Sequence, residues 1–243
     1  MKYDSVYLYG HNALIEALSG NPASIKKVFL DESHMRDKTL MKKLQLHKIS
    51  VSALTQEEKK KNSSLVHQGV IAKMDTDKLY VSYNDIVKKM QAKSRATILL
   101  LDEVQDPQNV GAIIRSAVAF GVDAILMGEH NQAHVTGAVI KSSVGMVFKI
   151  PLCIVGNINR TLRDLKKRDF WVYGMALKRD AHTLPKVAFA EKTIIVVGNE
   201  GEGIREKTLE HCDETIFIPI AKECESLNVS VATAVALYHR ANS

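Results

Sequence analysis

Three cysteines in 243 residues, Cys153, Cys212 and Cys224, form no C-x-x-C pair and no even framework. That excludes a disulfide scaffold and fits reduced thiols in the cytoplasm. No His/Cys group has metal-ligand spacing, so no metal site is expected. Long apolar runs are missing as well: nothing approaches the roughly 18 consecutive apolar residues of a membrane span. The opening residues, MKYDSVYLYGHN, lack the apolar stretch of a secretory leader. Also absent are a P-loop, a G-x-S-x-G turn and a G-x-G-x-x-G after an early strand. The last absence disfavours a nicotinamide-binding enzyme.

What is present is an ordinary water-soluble composition, with enough chain for one large domain or two modest ones. The net charge of +6 is unevenly placed. Residues 1–95 hold 17 Lys+Arg against 10 Asp+Glu, and residues 96–243 hold 16 against 17. A basic front joined to a near-neutral remainder suggests a polyanion-binding module on a separate working unit. A solvated lysine-rich surface, as at Lys59-Lys60-Lys61, is the plainer alternative.

Periodicity divides the chain at about residue 95. The front reads as a small α/β unit. A helix is expected over 10–19, a strand over 25–31, a helix over 35–47, a strand over 49–54, a polar helical turn over 55–61 and a strand over 65–74 broken by Gly69. Gly69 follows His67-Gln68, where a bulge or a close ligand approach would each suit a glycine. Residues 76–95 are polar, with one amphipathic piece at Ile86, Val87 and Met90, and read as a linker with a short helix. Continuous apolar strands then alternate with helices. Strands are expected at 97–104, 123–128, 170–177, 192–200 and 214–220, and helices at 109–121, 134–148, 158–168, 203–212 and 227–241. That alternation defines an α/β fold with a mainly parallel sheet.

In such sheets ligands bind beyond the carboxyl ends of the strands. Three polar loops lie there: DPQNVGAIIRSA (106–117), VVGNEGEG (196–203) and the stretch from Ile218 to Ala232. Ser226 and Asn228 stand where the last helix should begin, as ordinary N-caps do. Arg115 interrupts an apolar run, which implies either an ion pair with Asp102, Glu103 or another acid, or a clamp for a phosphate or carboxylate.

The three loops together resemble a known family. N-x-G-A-I-x-R-x-A (109–117), V-G-N-E-G-x-G-I (197–204) and I-P-I…S-L-N-V-S-V-A (218–232) match, in order and spacing, the motifs of the SpoU (TrmH-like) family of SPOUT RNA 2′-O-ribose methyltransferases. G-H-N-A-L-I-E-A-L (10–18) and H-Q-G-V (67–70) are similar to that family's RNA-binding accessory domain. The resemblance implies an L30e-like substrate-binding domain at 1–75, a linker at 76–95 and a methyltransferase domain at 96–243 tied in a deep trefoil knot. It implies S-adenosyl-L-methionine held by Gly198, Glu200, Gly201, Ile218, Ile220, Leu227 and Asn228. Catalysis would fall to Arg115, with Asn109, Glu200, Ser226 and Asn228 positioning the ribose and the cofactor. The partners implied are RNA, above all ribosomal RNA, and a second copy of the chain. Within the family the likeness points to methylation of a guanosine ribose in the P-site loop of 23S rRNA. Action on tRNA or another rRNA site, or a non-catalytic RNA-binding role in ribosome assembly, are the alternatives. The chain departs from the family at Lys222, where Gly is usual, and at Ile220, where Met is frequent.

Overall fold

The computed structural model describes residues 6–55, 67–178 and 180–243. The front of the chain builds a four-stranded sheet in the order β1-β4-β2-β3, from Tyr7–Tyr9, Ile25–Leu30, Ser50–Ala53 and Val70–Met74 in chain order. A helix over His11–Gly20 buries Leu14, Ala17 and Leu18, the apolar positions of its 3.6-residue period. The helix expected over 35–47 runs from Lys38 to Leu46, because the Asp37 carboxylate accepts from Thr39 and Leu40 and fixes the start there. Beyond Thr55, the polar turn expected over 55–61 lies outside the described residues.

The rest of the chain builds a seven-stranded parallel sheet, β7-β6-β5-β10-β8-β11-β9. Its central strands are β5 (Ala96–Asp102), β10 (Lys192–Gly198) and β8 (Trp171–Met175). Outside them lie β6 (Ala124–Gly128) and β7 (Leu152–Val155) on one side, and β11 (Glu214–Phe217) and β9 (His182–Thr183) on the other. Ile98, Leu100, Ile194 and Val196 face one layer of helices, and Leu99, Leu101, Ile195 and Val197 face the other. Burial on both faces explains the unbroken apolar runs in the sequence.

Residues 76–95, expected as a linker with a short helix, carry that helix over Tyr83–Gln91. Its Ile86, Val87 and Met90 are buried under the sheet, and the Tyr83 hydroxyl donates to Asp164 at 2.7 Å. On the other layer the two sheets share one apolar cluster. It runs from Leu8, Leu14 and Val28 through Val139 and Phe148 to Leu99, Ile114 and Leu237. Lys149 closes an ion pair with Glu16 across this junction at 2.6 Å.

Several helices are shorter than their patterns. The one expected over 134–148 covers Gly137–Ser142 and gives way at Val144 and Gly145, both with positive φ, to a 3₁₀ turn. The one expected over 203–212 is a single turn, Glu206–Leu209, because residues 199–205 are committed to a loop with its own hydrogen bonds.

Candidate active site

β5, β10 and β11 end side by side or one strand apart, and their following loops converge. The first loop enters the helix Pro107–Ala119, capped by Asp106, which accepts from the Gln108 amide at 2.9 Å. This helix buries Asn109, Val110, Gly111, Ile113, Ile114 and Ala117, and leaves Gln108, Arg115 and Ala119 exposed. Arg115 is therefore not buried in an apolar setting as its neighbours suggested. It lies on the solvent face and makes no ion pair or hydrogen bond with any described residue.

The acids proposed as its partners belong to Arg205. Asp102, fully buried at the end of β5, receives Arg205 Nε at 2.9 Å and Nη2 at 2.5 Å, and Glu103 receives Nη1 at 2.9 Å. Burial pulls the Arg205 guanidinium down, but the two carboxylates outweigh it and hold its pKa above the ordinary value. Arg205 thus anchors the far end of the 198–205 loop to the strand beside it. Sequence reasoning missed it. The available signal was an Arg just after the glycine turn, with an acid pair closing the apolar run of β5.

Within that loop Asn199 Oδ1 accepts from the amides of Gly201 and Glu202, while Nδ2 donates to the Glu103 carbonyl at 3.0 Å. Asn199 and Gly203 exchange both backbone hydrogen bonds. The loop folds so closely onto β10 that a Cβ on Gly198 would lie 2.2 Å from the Gly203 carbonyl carbon, so only glycine fits.

The third loop ends at Asn228, the N-cap of the final helix Val229–Ala241. Its Oδ1 accepts from the Ser230 amide at 2.9 Å and the Ser230 hydroxyl at 2.6 Å. The other end of the same amide donates to Asn109 Oδ1 at 3.0 Å, and Asn109 Nδ2 donates to Glu200 Oε1 at 2.9 Å. One side-chain chain, Asn228–Asn109–Glu200, therefore ties the three loops together. Capping and site-building are one role here, since each end of the Asn228 amide has its own partner. Asn109 is almost wholly buried and Glu200 exposed, so the chain runs from the core to solvent.

Two adjoining clefts lie among these loops, and of the three joined residues only Glu200 lines one, Asn109 and Asn228 lining neither. One, of about 490 Å³, is lined by Met175–Leu177, Ile216–Lys222 and Cys224–Leu227. The other, of about 450 Å³, is lined by the 197–204 loop with Ser226, Leu227 and Val229. Ile218, Ile220 and Leu227 thus sit in the first, Gly198, Glu200 and Gly201 in the second, and Ser226 and Leu227 in both. Lys222 lines the first cleft with its side chain exposed. Arg115 lines neither, and its backbone lies about 9 Å along the helix axis from Asn109.

A parallel sheet with three loops joined at its carboxyl edge defines a class of α/β enzyme, and the comparisons with known proteins give the family. The chain belongs to the SpoU rRNA methylase family, whose model matches residues 96–238. A second model, RNA 2′-O ribose methyltransferase substrate binding, matches residues 7–80. The chain is similar to the 23S rRNA (guanosine-2′-O-)-methyltransferase RlmB of Salmonella typhimurium, with 36% identity over 240 residues, 96% of this chain and 97% of that one. RlmB of Xanthomonas campestris is 33% identical over 246 residues, 98% of this chain and 96% of its own. Among solved structures, a putative TrmH-family RNA methyltransferase from Porphyromonas gingivalis superposes with a TM-score of 0.76 at 25% identity, covering 97% of this chain and 88% of that one. AviRb from Streptomyces viridochromogenes, a SpoU methyltransferase solved with AdoMet, shares the fold with a TM-score of 0.79 at 20% identity, covering 98% and 89%.

Proposed function

We propose that this chain transfers a methyl group from S-adenosyl-L-methionine to the 2′-hydroxyl of a ribose in RNA, a guanosine of 23S rRNA. The carrying observation is the Asn228–Asn109–Glu200 chain, which locks three family motifs into one site beside a cleft of cofactor size. The near full-length identity to the RlmB enzymes supports the choice of substrate.

The residues present fit the cofactor. The first cleft falls within the roughly 300–1,000 Å³ typical of small-molecule sites and is mostly apolar, with polar groups at Ser226 and the loop backbone. Met175, Ile218, Ile220 and Leu227 would hold it there, and Gly198, Glu200 and Gly201 would border it on the second cleft. When bound, S-adenosylmethionine supplies a methyl group already activated by its sulfonium. The task left to the chain is alignment of a weak nucleophile and removal of its proton. Glu200, exposed yet held by Asn109, and Asn228, holding Ser230, would orient the ribose hydroxyl. Arg115, whose planar fork suits a phosphate, would clamp the phosphate next to the reacting ribose.

Residues 1–75 are proposed as the substrate-binding part and 96–243 as the methyltransferase part, the latter threaded as a trefoil knot. The working form is proposed to be a homodimer. Val231, Val235 and Tyr238 make an exposed apolar stripe along the final helix, suited to a second copy. No helix among the described residues is long and apolar enough to cross a membrane.

The test is methyl transfer from labelled S-adenosylmethionine to unmodified 23S rRNA, with the product mapped by nucleotide. Label at one guanosine ribose is expected. Binding of S-adenosylhomocysteine without transfer to naked or particle-bound rRNA would overturn the catalytic reading. For the dimer, Val235→Glu should halve the sedimenting mass, and an unchanged mass would reject the stripe as interface.

A further inference from the structure

The loop after β11 carries charge that the fold leaves unused. The Cys224 amide donates to the Ala221 carbonyl at 3.0 Å, which makes Lys222 and Glu223 the two central residues of a tight turn. Lys222 has no positive φ, so the turn accepts a side chain at this position without strain. Lys222 and Glu225 are both exposed, and both line the cleft of about 490 Å³. Of the described residues lining that cleft, these two alone are charged, while Met175, Ile218, Ile220 and Leu227 make its wall apolar. Neither forms an ion pair or a side-chain hydrogen bond with a described residue, the other one included. The second cleft differs. Glu200, Glu202 and Glu206 line it against one cation, Lys178, and the Glu206 carboxylate holds Lys178 with both oxygens, at 2.8 and 2.9 Å. Among the described residues, Lys222 is therefore the one cation lining either cleft that has no acid of its own.

We infer that Lys222 and Glu225 form the subsite for the amino-acid end of the cofactor, Lys222 taking its α-carboxylate and Glu225 its α-ammonium. This rests on the S-adenosylmethionine reading of the clefts and deepens it. That cofactor joins an adenosine, a sulfonium and an α-amino acid whose carboxylate and ammonium sit on one carbon. Apolar wall and loop backbone can cover the adenosine. The amino-acid end is a zwitterion and needs one charge of each sign. Lys222 and Glu225 stand three residues apart in one turn-bearing loop and offer that pair on an otherwise apolar cleft. The sulfonium is a cation and suits the acid-lined second cleft, toward Glu200. An RNA phosphate is the rival partner for Lys222. It fits less well, because the Ile218–Asn228 loop holds one lysine against two glutamates, Glu223 and Glu225, and these repel a phosphodiester. A zwitterion uses both signs.

The test uses the full chain and calorimetry with three adenosine compounds. S-adenosylhomocysteine keeps the amino-acid end, decarboxylated S-adenosylhomocysteine lacks only the carboxylate, and 5′-methylthioadenosine lacks the whole amino-acid end. Lys222→Met removes the charge and keeps the apolar stem, and Glu225→Gln removes the charge and keeps the size. Each variant should weaken S-adenosylhomocysteine about threefold to fivefold, the scale of a partly exposed ion pair, and leave 5′-methylthioadenosine affinity unchanged. The wild type should bind the decarboxylated compound more weakly than S-adenosylhomocysteine. Lys222→Met should erase that difference, and Glu225→Gln should preserve it. High salt should weaken S-adenosylhomocysteine in the wild type and change Lys222→Met little. Equal losses of S-adenosylhomocysteine and 5′-methylthioadenosine would show that the side chains only shape the loop, and would overturn the subsite. So would unchanged S-adenosylhomocysteine affinity in both variants. A Lys222→Met variant whose one defect is weaker binding of 23S rRNA would assign Lys222 to a phosphate and overturn it too. A wild type that binds none of the three compounds would instead sink the cofactor reading itself, and the subsite with it.

Discussion

Arg115 is exposed and pairs with no described residue, so replacing it disturbs little of the fold. Arg115→Ala should change stability by less than about 0.5 kcal/mol, as surface substitutions usually do. It should keep S-adenosylhomocysteine affinity and lower turnover by about a hundredfold or more, the scale of losing one aimed charge at a reacting centre. Lost cofactor binding with intact turnover of the bound complex would contradict the phosphate-clamp role. Asp31 gives a test in pH. Burial works upward on its carboxyl, but hydrogen bonds from His34 and Ser33 prevail and bring it to about 2 from an ordinary 3.8. A carboxyl lowered on folding contributes stability that is complete above its unfolded value and is lost as pH falls through its folded one. Asp31→Asn should therefore flatten the fall of the thermal midpoint between about pH 4.5 and 2.5. A fall as steep as the wild type's would show that Asp31 has no part in acid unfolding.

At the level of elements, the Ile218–Asn228 loop is the wall of the larger cleft and carries Cys224, the one exposed cysteine among the three. Burial pushes the Cys153 thiol up to about 11 and the Cys212 thiol up to about 12, so neither supplies thiolate near neutrality. A thiol reagent at pH 7.5 should label Cys224 first, and S-adenosylhomocysteine should slow that labelling. Labelling at an unchanged rate in saturating ligand would place the cofactor elsewhere. These elements also show what the sequence could reveal. β5, β10 and the final helix were legible because burial on both faces, or a long apolar period, writes itself into consecutive residues. β1 and β9, three and two residues long, leave no period to read. The Asn109–Asn228 pair joins positions 119 residues apart, and its partners could be named from motifs but not its hydrogen bonds. The exposure of Arg115 is hidden in an apolar run, because Gln108, Arg115 and Ala119 share one helical face that consecutive residues do not reveal. Arg205 was missed because its meaning lies in Asp102, a strand away in space.

For the whole molecule, the shared cluster from Leu8 to Leu237 makes the two sheets one unit of stability. Heat or denaturant should unfold them together. Trp171 fluorescence, reporting β8, and amide exchange in β2 and β4 should give coincident transitions. Two separated transitions would mean that the junction of Glu16 with Lys149 and the cluster beneath it is a weak contact. The same core means that cutting after residue 95 would bare Val139, Val147 and Phe148 to water, so a truncated catalytic part should lose solubility as well as RNA affinity.

The position of β10 has a consequence for how the protein is made. It is bonded on one side to β5 and on the other to β8, both of which precede it in the chain. During synthesis β5, β6 and β7 can pair as soon as they emerge, but β5 then presents an open apolar edge and β8 has no neighbour already in the sheet. The gap closes only when residues 192–198 leave the ribosome, four fifths of the way through translation. A nascent chain paused before that point holds an unpaired strand edge ready to join another copy. Pausing, rare codons or premature termination between β8 and β10 would therefore be costlier than the same events near either end, and holding chaperones would have their main work in that interval.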